Sequence, residues 1–300
     1  MDRNLEALYK TIQQAMDGEK PKDEAEAKAL IDKLIKEYNS NLKSGNSRKK
    51  TAEEASDEFL EMAQNATSLA TANKYVDKAI ELNPDNFDAC SFKIVLRTDL
   101  FSKLNDLDSL LEKEEEKLRK QGCFKNIGNF WMMFETRPYM RGLDIKRSLL
   151  ESLCRISEAI QVSETMIKLC KNDNLGVRYH LIGYYALQEN LKKATQLHSK
   201  YDNEDSIGFY LPLAVCYFRL GQYEECKSIL LKADKSNKNT IRMLKQKTVL
   251  DRMPDDFYSP GDESEALMAV DCCRELLFST LPFFDFLKSC FPGTKPTKAR

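Results

Sequence analysis

Residues 207–233 read IGFYLPLAVCYFRLGQYEECKSILLKA, and the spacing of their apolar and small residues decides the fold. Tyr210, Leu213, Ala214, Tyr217 and Leu220 recur at steps of three and four, the period of one helical face. Gly221 stands where a helix would stop, because glycine adopts the left-handed turn that closes a helix without steric cost. Beyond it Tyr223, Cys226, Leu230 and Ala233 begin a second apolar stripe. A pair of helices joined in this way buries only one face by itself. Each hairpin therefore needs a neighbour, and stacking becomes the fold.

The neighbours are visible in ISEAIQVSETMIKL at 156–169 and ENLKKATQLHSKY at 189–201. Aligned on the helix after each turn, Ala159, Ala194 and Cys226 share one register, with spacings of 35 (194 − 159) and 32 (226 − 194). These bracket the roughly 34-residue period of tetratricopeptide repeats, and the last unit resembles that pattern at its tyrosine, small-residue, glycine and alanine positions. Cys226 stands where alanine is usual. An earlier unit lies at 56–84, where Phe59, Leu60, Ala63, Ala72, Val76, Ala79 and Pro84 keep the same internal offsets. Its end, KAIELNPDNFDA at 78–89, reads as a helix end, an Asn-Pro stop and a new helix. The expected fold is all-α, a right-handed α-α superhelix of tetratricopeptide-like hairpins.

Length and composition fit one array of about eight to eleven helical segments within 300 residues. Expected boundaries are an N-terminal helical segment at 1–50, a repeat array at 51–245, and a C-terminal capping segment at 246–300 with a flexible basic tail. Charged residues make up 31% and hydrophobic residues 42%, as solvated outer faces around apolar seams require. The 46 basic and 47 acidic residues give a net charge of −1, which argues against general nucleic-acid binding. Nine cysteines contain no CxxC pair, and only His180 and His198 could supply imidazole ligands, so no metal or cofactor is expected. The odd cysteine count and the lack of a cleavable apolar leader favour a reducing cytoplasm. No stretch has the roughly 18–20 uninterrupted apolar residues of a membrane span. The nearest, LLFSTLPFFDFLKSCF at 276–291, is broken by Pro282, Asp285 and Lys288 and reads as an apolar cap on the last repeat.

Residues 1–44 hold two helical patterns, Leu5 to Met16 and Ala25 to Leu42, before the linker SGNSRKK at 44–50. Residues 85–120 read as another hairpin ending in EKEEEKLRK at 112–120, an exposed face with opposite charges three or four apart. The stretch 121–142 breaks the pattern with GCFKNIGNFWMMFETRPYMRG, which combines the only tryptophan with glycines, a proline and clustered aromatics. Trp131, Glu135, Arg137 and Tyr139 form a candidate cluster there. Guanidinium and carboxylate groups beside aromatic rings can lock one hairpin to the next, or present a recognition surface.

Four runs, ETRPYMR at 135–141, NDNLGVRY at 172–179, YDNED at 201–205 and YSPGDESEAL at 258–267, together resemble a group of bacterial tetratricopeptide-like proteins of poorly defined function. The resemblance spans roughly 130–290 and implies a repeat scaffold without an activity to transfer. The chain departs from the repeat pattern at Ser157, where glycine before the second helix is usual, and at Lys171, where a closing proline is common.

No phosphate-binding glycine loop, GxSxG elbow or HExxH pair is present; His198 falls on a core-like helical offset and His180 lies beside the helical stripe of Tyr179 and Leu187, so both read as packing residues. A non-enzymatic interaction scaffold is therefore expected. On tetratricopeptide-like offsets the first helix of each hairpin sends Arg141, Asp144 and Ser148, then Tyr179, Gly183 and Ala186, then Leu211, Val215 and Phe218, to the concave wall. The candidate partner-binding residues are Arg141, Arg178, Tyr179, Leu211, Val215 and Phe218. The groove would hold a protein or peptide partner on aromatic and aliphatic anchors, with Arg141 or Arg178 orienting a carboxylate. Tyr179, Gly183, Leu211 and Val215 occupy the positions where carboxylate-clamp repeats carry Asn and Lys, so no such clamp is expected. The alternative is a nucleic-acid-associated regulator using Lys146, Arg147, Arg155 and Arg178.

Overall fold

The computed structural model describes residues 8, 9, 11, 12, 15, 16, 18–44, 50–254 and 257–293. The expected Leu5 to Met16 helix falls only partly on these residues. Most of the linker at 44–50 and the basic tail from 294 lie outside them. Among the described residues all regular structure is helical, in fifteen α-helices, more than the eight to eleven segments expected. The chain divides into two compact units, Met1–Leu149 and Leu150–Arg300.

The first unit contains α1 (Glu24–Ser44), α2 (Ala52–Gln64), α3 (Leu69–Leu82), α4 (Phe87–Val95), α5 (Leu100–Lys120) and most of α6 (Arg137–Ser152). Helix α2 starts on a reciprocal cap, in which Glu54 N–H donates to Thr51 Oγ1 at 3.1 Å and Thr51 N–H donates to the Glu54 carboxylate at 2.8 Å. Helices α2 and α3 form a hairpin around Leu60, Ala63, Val76 and Ala79, each exposed by 1% or less. The Asn-Pro turn then works as a joint. Asn86 caps α4 through Ala89 N–H at 3.1 Å, and its amide donates to Ser56 Oγ at 2.9 Å and to Asp57 at 2.8 Å. Ser56 in turn donates to the Ala79 carbonyl at 2.7 Å, so three helices meet at one buried polar point. Gly142 of α6 lies so close to the Phe87 ring that a Cβ there would sit 2.5 Å from it. The charge run at 112–120 is laced as its spacing implies, by Lys117–Glu114, Arg119–Glu115 and Lys120–Glu116 pairs.

The second unit contains α7 (Ile156–Leu169), α8 (Val177–Leu187), α9 (Leu191–Lys200), α10 (Ile207–Arg219), α11 (Tyr223–Ser236), α12 (Asn239–Leu244), α13 (Glu263–Cys272), α14 (Arg274–Phe278) and α15 (Pro282–Cys290). Helices α8 and α9, then α10 and α11, form successive hairpins, with α8 also packed on α7 and α10. Each helix thus buries a stripe against its partner and a second against the next hairpin, as a helical-repeat array requires. The shared register is real: Ala159, Ala194 and Cys226 all have zero exposure.

Each of these three residues lies five positions after a left-handed residue, Cys154 (φ 56°), Glu189 (φ 57°) and Gly221 (φ 71°). The next amide closes the turn in the same way each time, Arg155 N–H to Leu150 O at 2.8 Å, Asn190 to Tyr185 at 2.9 Å and Gln222 to Tyr217 at 2.9 Å. This corrects the placement of Ser157, which lies inside α7 and accepts a bond from Gln188 Nε2 at 3.0 Å. Cys154, and not Ser157, takes the position of the usual glycine. Only one of the three turns uses glycine because the αL penalty, about 1–2 kcal/mol, is tolerable at a single residue when the bond it permits is satisfied.

The C-terminal helices do more than close the last hairpin. Helix α13 packs on α8, α10 and α12, and α14 packs on α8 and α10. The contact is close because Gly183 offers no side chain: a Cβ on it would stand 3.3 Å from the Cys272 carbonyl oxygen. Among the described residues no helix is long and apolar enough to cross a membrane.

Candidate functional site

The expected groove is the face that α8 and α10 share, and in the second unit this face is largely covered by the chain itself. Leu211 and Val215 have no exposure and belong to one core with Leu267, Val270, Leu276, Leu277 and Phe283. The Phe218 ring packs against Phe283 and Phe286 at centroid distances of 5.6 and 5.3 Å. The three apolar anchors therefore face the folded-back C-terminal helices. The apolar segment 264–291 takes the groove as well as the end of the array, because its aliphatic residues complete the stripe that α8 and α10 leave uncovered.

At the other end of that face the first turns of α8 and α10 and the length of α13 from Glu265 to Cys272 surround a cavity of about 390 Å³, partly open to solvent. Its lining includes the polar residues Asp173, Arg178, Tyr179, His180, Tyr258 and Glu265 together with Met268 and Cys272. Asp173 builds one side. Its carboxylate accepts from Val177 and Arg178 N–H, both at 2.9 Å, and so caps α8 in place of Gly176. Arg178 spans the cluster: Nη1 lies 3.1 Å from Asp173, Nε donates to Glu204 at 3.1 Å, and Nη2 donates to the Tyr179 hydroxyl at 2.8 Å. Tyr179 donates to the other Glu204 oxygen at 2.5 Å. The guanidinium also lies over the rings of Tyr179 and Tyr201, 4.3 and 5.2 Å from their centroids.

Burial raises the Asp173 carboxyl above the usual carboxylate range against the opposing pull of Arg178 and two backbone amides. Tyr179 is likewise raised, first by burial and then by the carboxylate of Glu204. The carboxylates that Arg178 engages here are the chain's own, Asp173 and Glu204. Helical periodicity does not point to Glu204 or Asp173; the NDNLGVRY and YDNED runs that contain them are the available signal. Gly208 completes the knot, since a Cβ there would lie 2.6 Å from the Tyr179 ring.

In the first unit Arg141 makes a two-point pair with Asp88, at 2.9 and 2.5 Å. The Trp131 cluster is knitted together internally. Arg137 Nε donates to the Trp131 carbonyl at 2.8 Å, and its guanidinium lies 4.2 Å over Phe134 and 5.6 Å from Trp131. Tyr139 donates to Glu115 at 2.6 Å, while Thr136, fully buried, donates to the carbonyls of Phe130 and Met133. Glu135 is exposed, whereas Arg137 and Tyr139 are buried.

The basic residues of the nucleic-acid alternative are each beside a carboxylate: Lys146 at 2.7 Å from Asp108, Arg147 at 2.7 Å from Asp144, and Arg155 on both oxygens of Glu158. Among the described residues no group of three His, Cys, Asp or Glu is placed to hold a metal ion. His198 stacks on Phe209 at 4.8 Å and meets the Glu204 carbonyl at 3.0 Å, a packing role. The chain matches no protein-family model and no curated protein sequence.

Proposed function

We propose that this chain is a non-enzymatic, cytoplasmic interaction scaffold of right-handed, tetratricopeptide-like hairpins that holds a protein or peptide partner at the part of its second unit's groove face that the C-terminal helices leave open, the cavity beside Tyr258 and Met268. The observation that carries the reading is the seating of α13 across α8 and α10, with Gly183 under its C-terminal end. A surface that receives a largely apolar helix in this way has the apolar character used in helix-in-groove recognition. The partner's entry is the cavity at the mouth, where Tyr258 and Met268 offer apolar contact beside Arg178 and Glu265. Nine free cysteines support a reducing compartment. The nucleic-acid alternative has less support, because the carboxylates beside Lys146, Arg147, Arg155 and Arg178 offset the charge that phosphates would need.

The test is affinity purification of the full chain beside a Tyr258→Ala/Met268→Ala variant with an unchanged melting temperature, at low and high salt. A protein retained at high salt and lost from the variant supports the reading. Equal recovery from both chains, or nucleic acid that dissociates steeply with salt, contradicts it.

A further inference from the structure

Of the nine cysteines, Cys272 alone combines a place on the cavity wall with an imidazole partner: its Sγ lies 3.8 Å from His180 Nε2. The two residues are 92 positions apart and are brought together by the packing of α13 on α8. The other thiols differ. Cys216, Cys226 and Cys273 are buried as Cys272 is, but away from the cavity, and are raised by desolvation, to about 11 and about 12 for the first two. Cys90 and Cys123 are also raised, first by burial, while Cys154 is exposed, Cys170 buried and Cys290 half-buried, all three without a place in the cavity.

The geometry points to Cys272 as a covalent modification site, at which His180 activates the thiol toward small disulfides that enter the cavity. An imidazole within hydrogen-bonding reach of a thiol favours the thiolate, which is the reacting form. The balance is simple. The Cys272 proton passes to His180 Nε2, the thiolate attacks one sulfur of the disulfide, and that S–S bond breaks as the Cys272–sulfur bond forms. The departing thiolate takes the proton back from His180, so a thiol and a mixed disulfide replace a thiol and a disulfide. The inference does not depend on the scaffold reading, and it places a reversible covalent group beside the α8–α13 seam.

The groups facing the pair set its pH behaviour. On α8 these are Tyr179 and Tyr184, whose ring lies 6.5 Å from that of His180. Asp173 and Arg178 are paired with each other, and Tyr258 lines the cavity. On α13 and α14, Glu265 accepts from Asn237, Asp271 pairs with Arg274, and Glu275 and Cys273 lie nearby.

The probe is hydroxyethyl disulfide, whose neutrality removes any bias from Glu265 and Asp173. The folded full chain is treated across a pH series, and fragment masses locate the adduct, distinguishing Cys272 from Cys273. Cys272 should react first of the nine at neutral pH, with a rate that levels off at lower pH than that of Cys154. His180→Gln should slow it about tenfold at neutral pH, with the gap closing in alkali where all thiols ionise. Faster reaction of Cys154, or equal pH profiles for the two thiols in the unaltered chain, overturns the inference even if the variant fails to fold. A folded His180→Gln chain that reacts like the parent overturns it as well.

Discussion

Two clusters use the same parts, a tyrosine donating to a glutamate that a cation also holds, and reach different ends. Around Tyr139 the carboxylate of Glu115 and the cation Arg119 sit one turn apart on α5, with the guanidinium 3.9 Å over Phe124 and its side chain 57% exposed. Around Tyr179 the carboxylates come from two different loops, converge on Arg178, and include Asp173, whose side chain is 2% exposed. The first arrangement is a surface staple over the irregular stretch at 121–136. The second is a knot of largely desolvated charge that forms one wall of a cavity. The parts alone do not decide whether a cluster borders a site; the helices that meet around it do.

The largest expected effect breaks the knot. Arg178→Ala leaves Asp173 buried without its guanidinium and should cost about 3–5 kcal/mol in urea unfolding, whereas Arg119→Ala in the staple should cost under about 1 kcal/mol. Comparable losses would erase the distinction. Next in size, Cys226→Leu should overpack the small position of the third turn and cost about 1–3 kcal/mol; a neutral result would mean that the shared register carries no packing constraint.

The clusters should also respond to pH with opposite signs. The Tyr139 hydroxyl leads in holding Glu115 below its ordinary value of 4.5. Its contribution is present above 4.5 and is lost as pH falls through the lower folded value. Asp173 is raised above its ordinary 3.8, so its contribution is greatest below 3.8 and is lost as pH rises through the folded value. Acid titration of stability in Tyr139→Phe and Asp173→Asn chains measures the two slopes, and slopes of the same sign would contradict the assignment. The smallest effect tests the repeated turn. Cys154→Gly relieves an αL side chain and should stabilise by about 0.5 kcal/mol after the entropy of glycine is subtracted; destabilisation would show that the Cys154 side chain is needed there.

The hairpins were legible because small residues at a fixed spacing leave a periodic mark, and Ala159, Ala194 and Cys226 do pack alike. The turns at Cys154 and Glu189 were not, since neither residue advertises a positive φ in sequence. The covered groove was only hinted at. Leu211 and Val215 read from sequence as part of a concave wall, and in the structure they are buried under residues more than 50 positions away, a separation that local periodicity cannot report. Gly183, in the middle of a helix where glycine costs about 1 kcal/mol relative to alanine, was the sign that another backbone comes close. Arg178 and Tyr179 read as partner contacts because the carboxylates that engage them lie in loops, one of them in the separate YDNED turn.

The most direct measurement is amide hydrogen exchange of the full chain, resolved to α8, α10 and α13. If α13 completes the groove core, its amides at Leu267 to Cys272 should exchange with the same opening free energy as those of α8 and α10. Rapid, independent exchange of α13 while α8 and α10 stay protected would contradict the account.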